Sequence, residues 1–281
     1  MFDDFLNILR ANSDSEGNAW LDQFLSSDPE FNQRKFFYAF SGATRLFPKT
    51  PISFRAPGSS ESEPEKQWTV DQLARSVMLQ FLGKQDSELF LRSLKALVET
   101  ADLRETVAIF STFHFLPFPD ELSPLAREGL RTNIVDVFDA IALNNTFPSK
   151  HFDEEGWNQM VLKAFFLSRP TYQILGLDDR ANKTLAKALS NYAHERWAAG
   201  RVISPEIWRS CKAFIDAEMA KDFVTAVESA QEGHREAVAL CIQEGSTTED
   251  LAALKETLAD EISLIESGQL TWNSLGEKLL N

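Results

Sequence analysis

Cysteine is almost missing from this chain: 2 of 281 residues, Cys211 and Cys241. Neither has a CxxC partner or a histidine at ligand spacing, so the spacing suggests neither a zinc site nor a disulfide framework, and two buried free thiols are expected. Histidine is as scarce. His114, His151, His194 and His234 are scattered, and no second histidine follows the His194-Glu195 pair at position 198, so no metal and no other cofactor are predicted. Basic residues are outnumbered, 28 against 42 acids, for a formal charge of -14. Nucleic acid demands a basic face and is therefore excluded as a partner. Uncharged apolar runs long enough to cross a bilayer are lacking, and the opening MFDDFLNILR carries acids where a secretory leader carries lysines. The expectation is a cytoplasmic protein with no transmembrane segment.

What is present is core material: 43% of residues are hydrophobic and 22 are phenylalanine, enough for one large domain or two small ones. Val, Ile and Thr never alternate with polar residues over a strand's length, whereas apolar residues recur three and four apart. The predicted fold class is all-α, with short antiparallel helices stacked into an irregular HEAT- or armadillo-like array and an irregular globular bundle as the alternative. APGSSESEPEKQ, 56–67, is too polar to bury and reads as a mobile loop. In FLPFPDELSP, 115–124, three prolines prevent a continuous helix before Leu125. Residues 216–281 hold 14 acids and 4 bases, a net of -10, whereas 150–212 hold 10 bases and 7 acids, a net of +3. A domain over 1–215 is therefore expected, with acidic C-terminal helices, 216–281, packed on it and presenting a solvated face.

Stepping residues by about 100° around a helix axis sorts the polar groups into inward and outward sets. Over 181–199, Arg196 falls among Leu185, Leu189, Tyr192 and Ala199, while His194 falls opposite, beside Lys183 and Lys187; Glu195 and Asn182 flank the apolar sector. On a helix expected over 122–144, Arg131 shares the face of Ile134, Phe138, Ile141 and Ala142. The helix beginning near Asp153 is apolar almost all round, through Trp157, Met160, Val161, Leu162, Phe165, Phe166 and Leu167, with Gln159 and Lys163 as its polar stripe and Asn158 among the apolar side chains. A buried cation must be paired. Either Glu195, Asp178 and Asp179 neutralise Arg131, Lys163 and Arg196, or charge is left for a small anionic or aromatic metabolite between the flat walls of Trp157, Trp197 and Trp208. The candidate ligand-binding set is Arg131, Trp157, Asn158, Gln159, Lys163, Asp178, Arg180, Asn182, Glu195, Arg196 and Trp197. No residue is assigned as catalytic, because no nucleophile has a base beside it in the sequence pattern. An enzyme with Glu195 or Asp178 as general base and Arg196 or Lys163 steadying an anionic intermediate is the alternative.

Five ordered blocks, EGLRTN (128–133), WNQMVLKAFF (157–166), GLDDRAN (176–182), YAHERWAAGR (192–201) and PEIWR (205–209), give the chain a resemblance to the EboA family, a component of bacterial ebo gene clusters. FYAFSGATR (37–45) and FHFLPFP (113–119) resemble earlier blocks of that family, and the likeness runs from about 17 to 215. Where the family tends to have Asn-Pro-Tyr-Pro before the central helix, this chain has Asn145, Thr146, Phe147 and Pro148, so a tyrosine hydroxyl is missing there. The resemblance implies a cytoplasmic accessory protein of a metabolite pathway, with other proteins of the ebo cluster as implied partners. Such clusters also encode a UbiA-type prenyltransferase and are linked to handling or export of secondary-metabolite precursors such as those of scytonemin. A non-enzymatic carrier or scaffold is the implied role.

Overall fold

A computed structural model describes residues 1–26, 31–61, 63–229, 231–245 and 251–280. Among the described residues the fold is all-α apart from one two-stranded hairpin, and the chain divides into two compact units, Met1–His151 and Phe152–Asn281. The division falls after His151, so the acidic C-terminal helices share a unit with the 153–212 segment, whereas the sequence pattern suggests a boundary at 215. No described helix is long and apolar enough to cross a membrane.

In the first unit the helix Val70–Leu82 lies at the centre, packed between the helices Phe2–Ala11 and Leu103–Thr112. Eleven of its thirteen residues are buried, polar ones included. Asp71 and Arg75, one helical turn apart, form an ion pair at 2.7 Å with side chains only 1% and 2% exposed, and Arg104 reaches the same carboxylate at 2.8 Å. A buried pair of this kind is sustained only because each charge finds a partner. Helix starts follow the expected chemistry: Asp86, Asp102, Asp153, Asn182 and Asp216 each accept a backbone N–H of the first turn, and Glu105 completes a capping box with Asp102.

The hairpin pairs Pro51–Phe54 with Lys66–Thr69 in antiparallel register, Ile52 opposite Trp68 and Phe54 opposite Lys66. Trp68 buries against Phe5 and Phe115, and Phe54 against Phe5 and Trp68. Four residues per strand are too few to register as alternation, which is why the sequence predicts no strand. The hairpin also changes the 56–67 segment: Ala56 and Lys66 at its ends are buried, and Lys66 and Gln67 belong to a strand. Ser62, within that segment, lies outside the described residues.

The second unit is built around the short 3-10 helix Pro205–Cys211, which packs between the helices Lys183–Ala198 and His234–Glu244. Trp208, Cys211 and Cys241 are wholly buried there, the two thiols free as expected. The helix Trp272–Leu280 closes over it, and Gly276 is needed because a Cβ would stand 2.3 Å from Cδ1 of Tyr172.

Candidate functional site

Of the predicted site residues, four meet in one cluster. Asn182 caps its own helix by accepting from Leu185 N at 2.8 Å, and its amide exchanges two hydrogen bonds with Asn158 on the helix Glu154–Phe166, at 2.8 and 3.2 Å. Arg180 donates to the carbonyl of Phe152 at 3.0 Å with its guanidinium carbon 5.0 Å from the centre of the Trp157 ring. Trp157 is fully buried, and its Nε1–H has no acceptor among the described residues. The cap Asn182 of one helix and the first two turns of its neighbour Glu154–Phe166 thus bring an amide pair and a stacked cation together.

Asp178 stands in a second group. It accepts from Arg209 at 2.6 Å and Lys212 at 2.8 Å, and Lys212 also reaches Glu244 at 2.7 Å. Burial alone would raise the Asp178 pKa, but the hydrogen bonds and charges of Arg209 and Lys212 outweigh it and hold the carboxyl below its usual range. Such a carboxylate is a weak base.

The remaining predicted residues do not converge. Arg196 is half-exposed and donates from Nε and an Nη to the carbonyl of Val202, at 3.1 and 3.0 Å, rather than to Glu195 or Asp178; Glu195 is exposed. The helix stops at Ala198, and Gly200, at a φ of +65°, turns the chain back so that the Val202 carbonyl meets the guanidinium. His194, expected on the solvent side, instead faces the acidic helix Ala217–Glu228, with Nε2 2.6 Å from Oδ1 of the buried Asp222. Trp197 is half-buried beside Trp208, ring centres 6.0 Å apart. Gln159 is exposed and bonds Glu155 at 2.9 Å, Lys163 is half-buried with desolvation lowering its pKa, and Phe166, expected to be covered, is 74% exposed.

Arg131 corrects a second assumption. The expected helix 122–144 is two helices, Pro119–Gly129 and Val135–Ala142, so the angular phase does not carry across the break. Arg131 is 79% exposed and pairs with Glu128 at 3.2 Å, and Ile134 is also exposed. The break nevertheless builds a feature that the helical wheel missed. Between the two helices and Leu103–Thr112 lies an open apolar groove of about 300 Å³, floored by Phe110 and lined by Leu103, Thr106, Leu125, Ile134 and Val137. Glu128, Gly129 and Thr132 form its lip, so three of the six residues of EGLRTN line the groove, and Arg131 is tied to that lip through Glu128. The groove lies at the low end of the volume range of small-molecule sites and has their composition: apolar walls with a few polar groups at one edge. The one sequence signal for it was the EGLRTN block itself.

No curated protein and no solved structure matches the chain. A family model described as metabolite traffic protein EboA matches residues 2–212, which take in the first unit from its second residue on, the groove, the Trp157 cluster, and Asp178 with Arg209 and Lys212. The match covers most of the chain, and the chain belongs to the EboA family.

Proposed function

We propose that this chain is a non-enzymatic cytoplasmic accessory protein of an ebo-type secondary-metabolite pathway, holding a metabolite for processing or export by other proteins of the cluster. The observation that carries the reading is the groove over Phe110: apolar enough to take an aromatic or aliphatic body, with the Glu128–Arg131 pair and Thr132 at its lip to orient a polar end. The enzymatic alternative is weaker, because the Asp178 carboxylate is occupied by Arg209 and Lys212 and its pKa is held low.

Native mass spectrometry of protein purified from a host carrying the pathway tests this. A small molecule should travel with the wild-type protein and be lost from Thr106→Trp, which fills the groove from a half-exposed wall position while leaving the circular dichroism spectrum unchanged. Equal retention by the folded variant would remove the groove from the reading.

A further inference from the structure

The helix Leu103–Thr112 continues into a 3-10 turn, Phe113–Phe115, and beside that turn sits a group of basic side chains outside the groove. Lys66 is the least expected of them. Hairpin alternation turns it inward with Trp68, leaving it 4% exposed. Its Nζ donates to the carbonyl of Asn144 at 2.6 Å and stands 5.8 Å from the Phe115 ring centre. Asn144 holds that carbonyl in place with a left-handed φ of +50°. An ammonium has three N–H donors, and one carbonyl does not use them.

His114 also lies against Phe115, ring centres 3.6 Å apart. Both of its ring nitrogens are shielded from solvent and have no hydrogen-bond partner among the described residues; the Ser111 backbone lies near enough to favour the protonated ring without reaching hydrogen-bond geometry. Burial, then the charges of Lys66 and Lys150, push its pKa well below the ordinary histidine range. Burial likewise brings the Lys66 amine down to about 8, against a small opposing effect of Glu63. Glu63 lies in the hairpin loop and spends one carboxylate oxygen on the backbone N–H of Ser60 at 3.3 Å. Exposed Lys150 and half-buried His151 border the group, with Asp120 acting on His151.

The first unit therefore keeps a cation and a histidine with both nitrogens unpartnered against an aromatic wall, although an apolar pair would be more stable there. Polar groups held at such a cost are expected where a ligand completes their bonds. We propose that Lys66 and His114 bind an oxyanion group of a small metabolite: one oxygen would take the unused N–H groups of Lys66, another the N–H of His114, with Lys150 as the outer positive group. This site is separate from the groove and does not depend on it.

The test uses the full chain with inorganic phosphate and with benzoate, at ionic strength matched by sodium chloride. At pH 8.5 one or both should raise the melting temperature by several degrees and bind with proton uptake, seen calorimetrically as a heat that changes with the ionisation enthalpy of the buffer. Uptake is the specific sign, because an anion re-protonates an amine that is partly neutral at that pH. Lys66→Met, which removes a buried charge and should fold, and His114→Phe, as a second route, should each lose at least tenfold in affinity. A response to phosphate alone assigns a phosphoryl group, and to benzoate alone a carboxylate. No response from the wild-type protein to either anion, or an undiminished response in both variants, overturns the proposal.

Discussion

Nε2 of His194 stands 2.6 Å from Oδ1 of Asp222, and this contact ties the helix Lys183–Ala198 to the acidic helix Ala217–Glu228. Ser190, one turn earlier on the same helix, donates to the other oxygen at 2.9 Å. Asp222 is buried, so each of these donors offsets the cost of keeping its carboxylate from water.

The order of sensitivity on the YAHERWAAGR helix follows. His194→Ala leaves Asp222 with one side-chain donor and should cost about 1–3 kcal/mol. Arg196→Ala removes bonds from a half-exposed side chain to one carbonyl and should cost about 1 kcal/mol or less. Urea denaturation of the two variants at pH 7 checks this, and a larger loss for Arg196→Ala would contradict it.

Asp71→Ala should be among the most damaging substitutions in the first unit. It strands Arg75, which is 2% exposed and lies 5.6 Å from the Phe40 ring, and it releases Arg104 as well. The expected loss is about 3–5 kcal/mol, the scale for leaving one member of a buried pair. The double replacement Asp71→Leu with Arg75→Met should recover much of it, measured by the same denaturation curves.

How much of this was legible in the residues depends on what each inference required. Helix class, a helix start near Asp153, the burial of Trp157 and the free thiols needed only local pattern, and they could be read. Arg196, His194 and Arg131 required knowing what covers a helix face. Asp222 lies 28 residues beyond His194, in a segment read as a solvated acidic face, and no periodicity announces that one of its acids turns inward. The groove needed the break at 130–134, which has neither proline nor glycine inside it. Lys66 was hidden because a four-residue strand in a polar segment looks like loop, although Gln67 between Lys66 and Trp68 is the exposed member of a two-residue alternation.

His234 makes stability depend on acid. Burial lowers its pKa from 6.5 to about 4, and Trp208 donates to its Nδ1 at 3.3 Å, which requires an unprotonated nitrogen. In the unfolded chain the imidazole takes up a proton near pH 6.5, while the folded protein resists until about pH 4. The unfolded state then binds more protons, so stability falls as pH drops through that window, by about 3 kcal/mol in full. His234→Gln should flatten this part of the curve when unfolding free energies are compared between pH 7 and 4.5. An unchanged slope would show that other groups carry the acid sensitivity.

Gly129 joins stability to the groove. It ends the helix Pro119–Gly129, and a Cβ built there would stand 2.6 Å from Cζ of Phe110 and 2.8 Å from Cδ1 of Ile141. Both neighbours are buried, so neither can swing into solvent, and Gly129→Ala should cost about 1–3 kcal/mol by overpacking. Gly42 provides the contrast: at a φ of -77°, with nothing within 4 Å of its Cβ position, Gly42→Ala should be neutral or stabilising by up to about 1 kcal/mol. The Phe110 ring is the floor of the groove, so the shift that accommodates the added methyl group also changes the shape offered to a ligand. Gly129→Ala should therefore lose retained metabolite even at a temperature where circular dichroism shows it fully folded, whereas Gly42→Ala retains it. A folded Gly129→Ala protein with undiminished retention would separate the packing at this position from the groove's role.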